Sequence, residues 1–310
     1  CEHCYLDAGG LPQVGTENFA DRSELGTDDC FRVIDEIAAF APECVTILTG
    51  GEPLLRRDIL EIVRRAADRG LWVVVGTNGV RITENVARRL ADAGARGLSL
   101  SLDALDPGRH DRFRRVRGAW QNTVEGAAIL NRTGLPFIVQ TTAGAHNLGE
   151  LEAIADFAHD RLAAKVWNLY FLVPTGRGQF VSDITPAQYD DVLAALARIQ
   201  RKYDRRMLVN AKCAPHYIKT VLAHGLREEP EGSPAEGPPS IRTYAGGAGG
   251  CPAGTHYMGI RPNGDVTPCP YLPVFAGTLR SSSLADLWSS SALFAGIRRR
   301  TSLEGRCGAC

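Results

Sequence analysis

Apolar positions along the first two thirds of the chain switch repeatedly between two periods. Over residues 27–41, Phe31, Ile34, Ile37 and Ala38 recur every three or four positions behind Thr27, Asp28 and Asp29, which supply a cap and negative charge for a helix start. Val45-Thr46-Ile47-Leu48 then reads as a short buried strand that runs into Gly50-Gly51-Glu52-Pro53. A second helix is predicted from about Asp58 to Arg69, stopped by Gly70. The alternation continues with strand Leu71–Val75, a helix capped by Thr83 and running to Ala93, strand Gly97–Leu102, helix Gln121–Arg132, strand Phe137–Thr142, helix Leu148–Leu162 and strand Val166–Val173. A long helix from Thr185-Pro186 to Tyr203 follows.

Apolar strands joined by helices imply a parallel sheet under helical cover, because parallel neighbours need crossover connections. The fold class is α/β. Residues just after each strand share one rim, the usual place for chemistry in such folds. That rim collects Gly50, Glu52, Thr77, Asn78, Asp103, Asn147, Pro174 and Arg177. Residues 227–250 are rich in proline, glutamate and glycine and are expected to be a flexible loop. From Cys251 the chain is cysteine-bearing, turn-rich and short in strands, and reads as a second, smaller domain.

Charge narrows the partners. Lysine plus arginine and aspartate plus glutamate are both 35, so no polyanion and no nucleic acid is implied. No apolar run reaches the ~18 residues of a membrane span, and no export signal is visible, which makes the cytoplasm the expected location. The sequence opens on Cys1 rather than methionine, so the start of the protein is expected to lie before it.

The nine cysteines carry most of the candidate chemistry. Cys1-Glu2-His3-Cys4 sets two thiols on one tight turn, which suits an iron–sulfur cluster or structural zinc. In Gly50-Gly51-Glu52-Pro53 the glycines allow close backbone approach and the glutamate is placed to accept from an ammonium group. Cys307-Gly308-Ala309-Cys310 is a second CxxC. Cys30 and Cys44 fall in apolar patterns and read as core thiols, whereas Cys213 is either an extra ligand or a buried thiol. Isolated His216 and His256 read as ordinary hydrogen-bonding residues before ligands.

Together these motifs resemble the radical S-adenosylmethionine (SAM) enzymes of the SPASM-domain branch. Cys1 and Cys4, followed by Tyr5, match the second and third cysteines of that family's Cys-x3-Cys-x2-Cys motif. The first cysteine and first strand would precede Cys1. Gly50, Gly51, Glu52 and Pro53 resemble the motif that holds the amino group of SAM, and His3 matches the residue whose backbone meets the adenine. Thr77 and Asn78, with Ser101 and Asp103, resemble strand ends that contact ribose and carboxylate. His110-Asp111-Arg112-Phe113-Arg114 resembles a stretch common in this branch, and Val173 to Gly178, with Arg177, a late-strand motif near SAM. Cys251, twelve residues, Gly264, four residues and Cys269 fit the SPASM opening pattern, and Cys307 and Cys310 the start of its second pattern.

The resemblance implies a partial (β/α)6 barrel over 1–185, bridging helices over 186–226, and an auxiliary iron–sulfur domain over 251–310. It implies a [4Fe-4S] cluster, SAM and one or more auxiliary [4Fe-4S] clusters, with Cys1, Cys4, Cys213, Cys251, Cys269, Cys307 and Cys310 as metal-site candidates. The expected activity is reductive SAM cleavage to a 5′-deoxyadenosyl radical that takes hydrogen from a substrate, with electrons from an external one-electron donor. Stretches such as Lys212–His216 and Thr267–Pro273 are most similar to haem d1 and alternative haem biosynthesis proteins, which points to a tetrapyrrole. Arg109, Arg112, Arg114, Arg115 and Arg117 read either as partners for its carboxylates or as a solvated charged face. A ribosomal-peptide maturase and a non-catalytic Cys4 zinc scaffold are the rival readings.

Overall fold

The computed structural model describes residues 1–6, 24–181, 184–223 and 251–299, with positions 305 and 308. The expected loop over 227–250, and Cys307 and Cys310, lie outside the described residues.

The strands are β1 Val45–Leu48, β2 Trp72–Gly76, β3 Gly97–Ser101, β4 Phe137–Ala143, β5 Val166–Phe171 and β6 Leu208–Lys212. They pair in chain order, all parallel, as an open curled half-barrel. The helices are α1 Thr27–Phe40, α2 Ile59–Asp68, α3 Glu84–Asp92, α4 Pro107–Arg114, α5 Ala119–Thr133, α6 Leu151–Asp160, α7 Pro186–Lys202 and α8 Tyr217–Ala223. Alternate strand residues Val73, Val75, Leu98, Leu100, Val139, Trp167, Leu169 and Val209 are buried with Ile62, Val63, Leu90, Leu130, Ile154 and Leu196 in one core. Each such side chain contributes about 1.5–3 kcal/mol on burial. Trp167 donates its indole N–H to Thr141 Oγ1 at 2.9 Å, which removes the cost of burying that donor.

Two elements escape the hydrophobic pattern. The strand β6 falls inside the stretch expected to hold bridging helices. Its outward Val209 and Ala211 are apolar, but Asn210 and Lys212 face the other way and break the apolar run. The helix α4 buries only His110 and Phe113. It is set by its start instead: Asp106 accepts from Arg109 N–H at 2.7 Å and Pro107 occupies the first turn.

The C-terminal part is a small antiparallel sheet, β7 Gly259–Ile260, β8 Asp265–Thr267 and β9 Gly277–Thr278, followed by α9 Leu284–Ser290 and α10 Ala292–Arg298. Gly264, the glycine of the cysteine-spacing pattern, turns the chain into β8 at φ +90°, and a Cβ there would lie 3.1 Å from Leu25 Cδ2. The helix α1 joins both parts. Ile34 belongs to the barrel core, while Val33 joins Leu25, Val266, Leu279, Leu284, Leu287 and Phe294 in a second one. Arg32 donates to Leu279 O and Leu284 N–H donates to Glu36, both at 2.7 Å. No helix among the described residues is long and apolar enough to cross a membrane.

Candidate active site

Residues Cys1–Tyr5 lie across the C-terminal rim of the sheet and are gripped by their backbone. Glu2 N–H donates to Phe113 O at 2.8 Å, and Arg177 N–H donates to Cys4 O at 2.9 Å. Gly176 packs so closely that a Cβ on it would sit 2.5 Å from Cys4 O. Cys1 lines a small pocket together with Asn78, Ser101, His110 and Arg114. The Arg114 guanidinium is 4.0 Å from Cys1 Sγ. The His3 ring turns inward and stacks on Phe113 with centroids 4.5 Å apart, and Phe113 stacks on His146 at 4.0 Å. His3 therefore anchors the turn with its side chain. Burial lowers His3 to about 3 and also lowers His146, so both rings are neutral near pH 7.

Glu52 ties the ends of β1 and β2 together. Gly50 and exposed Gly51 lead into it, and buried Pro53 opens a single tight turn, Pro53–Leu55, behind it. One carboxylate oxygen accepts from the Thr77 hydroxyl at 2.7 Å and from Leu54 N–H at 3.1 Å; the other accepts from Asn78 N–H at 2.8 Å. A carboxylate has about four acceptor positions, so one direction stays open for a cationic ligand.

Asp103 sits deeper and is fully buried. It pairs with Arg114 at 2.5 Å and accepts from Thr142 N–H at 2.8 Å. Burial pushes its carboxyl up, but Arg114, with His3 and His110, outweighs burial and holds it below the usual range. Asp103 therefore reaches the pocket through Arg114. Asn147 donates to Asp103 O at 2.8 Å and to Thr142 O at 2.9 Å, a satisfied structural role. Of the other arginines read as carboxylate partners, Arg109 pairs with Glu150 at 3.0 Å, while Arg112, Arg115 and Arg117 are exposed.

His110 Nδ1 accepts from Asp103 N–H at 3.1 Å, which leaves the proton of the neutral ring on Nε2. Burial lowers His110 from its ordinary 6.5 to about 4. The unfolded chain therefore binds a proton that the fold resists over this range. His110's contribution to stability is whole above pH 6.5 and is lost as the pH falls from there toward 4. The urea midpoint is expected to drop between pH 7.5 and pH 5, roughly the range in which an unfolded histidine titrates. The drop should be smaller in His110→Asn, whose side-chain oxygen replaces Nδ1 as acceptor. Equal drops in both proteins would contradict this assignment.

A second group lies where β5 and β6 end. Cys213 terminates β6 at φ +60° and sits close enough to Cys251 and Cys269 for their charges to act on one another. Tyr5 packs edge-on against Tyr271 at 5.4 Å, and Tyr170 against Tyr271 at 6.5 Å. No three His, Cys, Asp or Glu side chains among the described residues are placed to hold a single metal ion. Thiolates on one zinc stand only about 4 Å apart. Thiolates on a cluster each take their own iron and stand further apart. Cys30 and Cys44 pack against the core, and His216 and His256 are exposed. The ring stack and the Asp103–Arg114 pair join residues distant in sequence. No local spacing announces them.

The donor set thus fits a cluster and SAM. Two thiols share a tight turn, cations stand beside them, and Glu52, Asn78 and Ser101 gather on the same rim. Residues 1–158 match the Radical SAM superfamily, and residues 251–310 match SPASM, an iron-sulfur cluster-binding domain. Over its full length the chain is 35% identical to an AdoMet-dependent heme synthase of Methanosarcina barkeri, covering 84% of that protein. It is 27% identical to a pre-heme d1 synthase of Dinoroseobacter shibae, again over the whole chain and 75% of the relative. The crystal structure of Streptococcus suis SuiB bound to precursor peptide SuiA shares the fold with a TM-score of 0.72, at 20% identity, over all of this chain and 66% of that one. The chain belongs to the radical SAM superfamily, enzymes that use a [4Fe-4S] cluster and S-adenosylmethionine, and carries the iron–sulfur domain of its SPASM branch.

Proposed function

We propose that this enzyme modifies the side chains of a tetrapyrrole in the formation of haem or haem d1. The observation that carries the reading is the 35% identity to an AdoMet-dependent heme synthase along the whole chain. On this reading residues 1–185 form the catalytic core, 186–226 bridge to the second domain while adding β6 to the sheet, and 251–310 form the auxiliary domain. The work belongs in the cytoplasm, away from oxygen, with electrons from an external one-electron donor.

Cys1 and Cys4 would supply two thiolates to the SAM-binding cluster. Cys213, Cys251, Cys269, Cys307 and Cys310 would serve auxiliary clusters. Glu52, positioned by Gly50, Gly51 and Pro53, would take the amino group of SAM in its open direction. Thr77 holds Glu52 still, and Asn78 and Ser101 would contact the ribose and carboxylate. Arg177 fixes the cysteine turn, and Asp103 fixes Arg114. When bound, the cluster and SAM would supply the radical chemistry that removes a hydrogen atom from the substrate. The chain's own part is to hold the reacting carbon in line for that chemistry and to keep water out.

The test uses the protein expressed from its full gene and reconstituted anaerobically with iron and sulfide. With SAM and dithionite, the wild type should release 5′-deoxyadenosine, and Glu52→Ala and Cys4→Ala should release less than about a hundredth as much, the scale of losing a group that holds a reactant in place. Iron-coproporphyrin and didecarboxysirohaem are the first substrates to supply. Turnover of a peptide, with neither tetrapyrrole changed, would replace this reading with a maturase. Zinc in the native protein in place of iron would replace it with a scaffold.

A further inference from the structure

The inner face of the half-barrel has a row of which the cofactor roles use only the first residue, Ser101. Strand register places Ser101, Gln140, Asn168 and Asn210 side by side across β3 to β6. The next row toward the rim is Thr142, Tyr170 and Lys212. Alternation along each strand sends these side chains inward, opposite the buried Val139, Trp167, Leu169 and Val209. The amides are linked: Asn210 donates to Asn168 Oδ1 at 2.9 Å, and Gln140 donates to the Tyr170 hydroxyl at 3.4 Å. Asn210 is only 6% exposed, and its Oδ1 has no partner among the described residues. A buried acceptor left open costs about 1–3 kcal/mol, which an N–H or O–H from an entering molecule would recover.

The row has direction. Ser101, at one end, lines the pocket of Cys1. Lys212, in the adjacent row on β6, directly precedes Cys213, a candidate ligand of the auxiliary clusters. Lys212 is also the only charged residue in the six parallel strands. A single positive charge on the inner face of these otherwise uncharged strands suits an anionic ligand.

We propose that this row is the substrate cradle, with Lys212 anchoring a carboxylate of the substrate and Asn210 Oδ1 accepting an N–H or O–H from it. The molecule would then lie between the SAM pocket and the auxiliary thiols. The inference deepens the reading above and rests on it for the position of SAM, but its test does not need turnover. A propionate of a tetrapyrrole and a glutamate of a peptide offer the same carboxylate.

Binding of iron-coproporphyrin III, followed by its Soret band, is compared with binding of its tetramethyl ester in the wild type, Lys212→Met, Lys212→Arg and Asn210→Leu. Lys212→Met should weaken the acid about tenfold to a hundredfold, the span of one charge-assisted hydrogen bond, and leave the ester unchanged. Lys212→Arg should recover most of the acid affinity, and Asn210→Leu should weaken acid and ester alike. Binding of both the acid and a glutamate-bearing peptide as tight in Lys212→Met as in the wild type would overturn the proposal, as would equal losses for acid and ester in that variant. A glutamate-bearing peptide that depends on Lys212, when the porphyrin does not, would keep the carboxylate anchor and remove the tetrapyrrole. Deoxyadenosine release by the wild type judges the radical reading separately.

Discussion

Replacing Asp103 with alanine is expected to destabilise the fold by about 3–5 kcal/mol, the range for stripping one partner from a buried ion pair. Asp103 is 0% exposed and the Arg114 side chain 12%, so water cannot replace the lost carboxylate around the guanidinium. The Thr142 N–H loses its acceptor at the same time. The cost comes less from a missing attraction than from a charge left without compensation. A double replacement, Asp103→Ala with Arg114→Met, should therefore be more stable than Asp103→Ala alone. Urea unfolding of the two proteins decides the point. A loss below about 1 kcal/mol in the single variant would put the pair among ordinary surface bridges. The single variant should also disturb the iron site, because the released guanidinium lies 4.0 Å from Cys1 Sγ.

The second large effect is expected at Gly176. Its φ of +54° already disfavours a side chain, by about 1–2 kcal/mol. An added Cβ would also lie 2.5 Å from Cys4 O and 2.7 Å from the carbonyl of Tyr5. Both obstacles are backbone, so no side-chain rotation relieves them. The cysteine turn must lift, and the Arg177 N–H to Cys4 O bond breaks with it. Gly176→Ala should retain its secondary structure but lose most of the iron held at Cys1 and Cys4, with deoxyadenosine release falling in proportion. Gly178→Ala is the milder comparison, since its nearest contact would be Val173 O at 3.1 Å. Full iron and wild-type deoxyadenosine release in Gly176→Ala would show that the turn is not positioned by this contact.

Legibility from sequence followed the physics of each element. The strands β1 to β5 and most of the helices between them were readable because apolar residues repeat at a fixed period, although β1, expected to be buried, leaves Val45 and Ile47 exposed at the edge of the sheet. The strand β6 was not, since Asn210 and Lys212 occupy its inward positions and leave too short an apolar signal. Nor was α4, which is mostly charged and buries only His110 and Phe113. At the candidate site, the gathering of Cys1, Cys4 and Glu52 on one rim was readable from motif spacing. What each does in three dimensions was less so. Glu52 is held by Thr77 and Asn78 from the next strand, His3 works through its ring, and Asp103 is spent on Arg114 rather than facing the pocket. Pairings across the sheet leave no mark in any one stretch of sequence.

The double allegiance of α1 bears on how such proteins diverge. One flank of this helix completes the barrel and the other completes the C-terminal core, and its contact with Leu279 joins residues 247 positions apart. The C-terminal part is therefore not a module that ends where its cysteines begin. A relative's segment grafted at Cys251 would arrive without the wall it was shaped against. The exchangeable unit is Leu25–Phe40 together with residues 251–310, two stretches that must drift in step through a lineage even though a barrel lies between them.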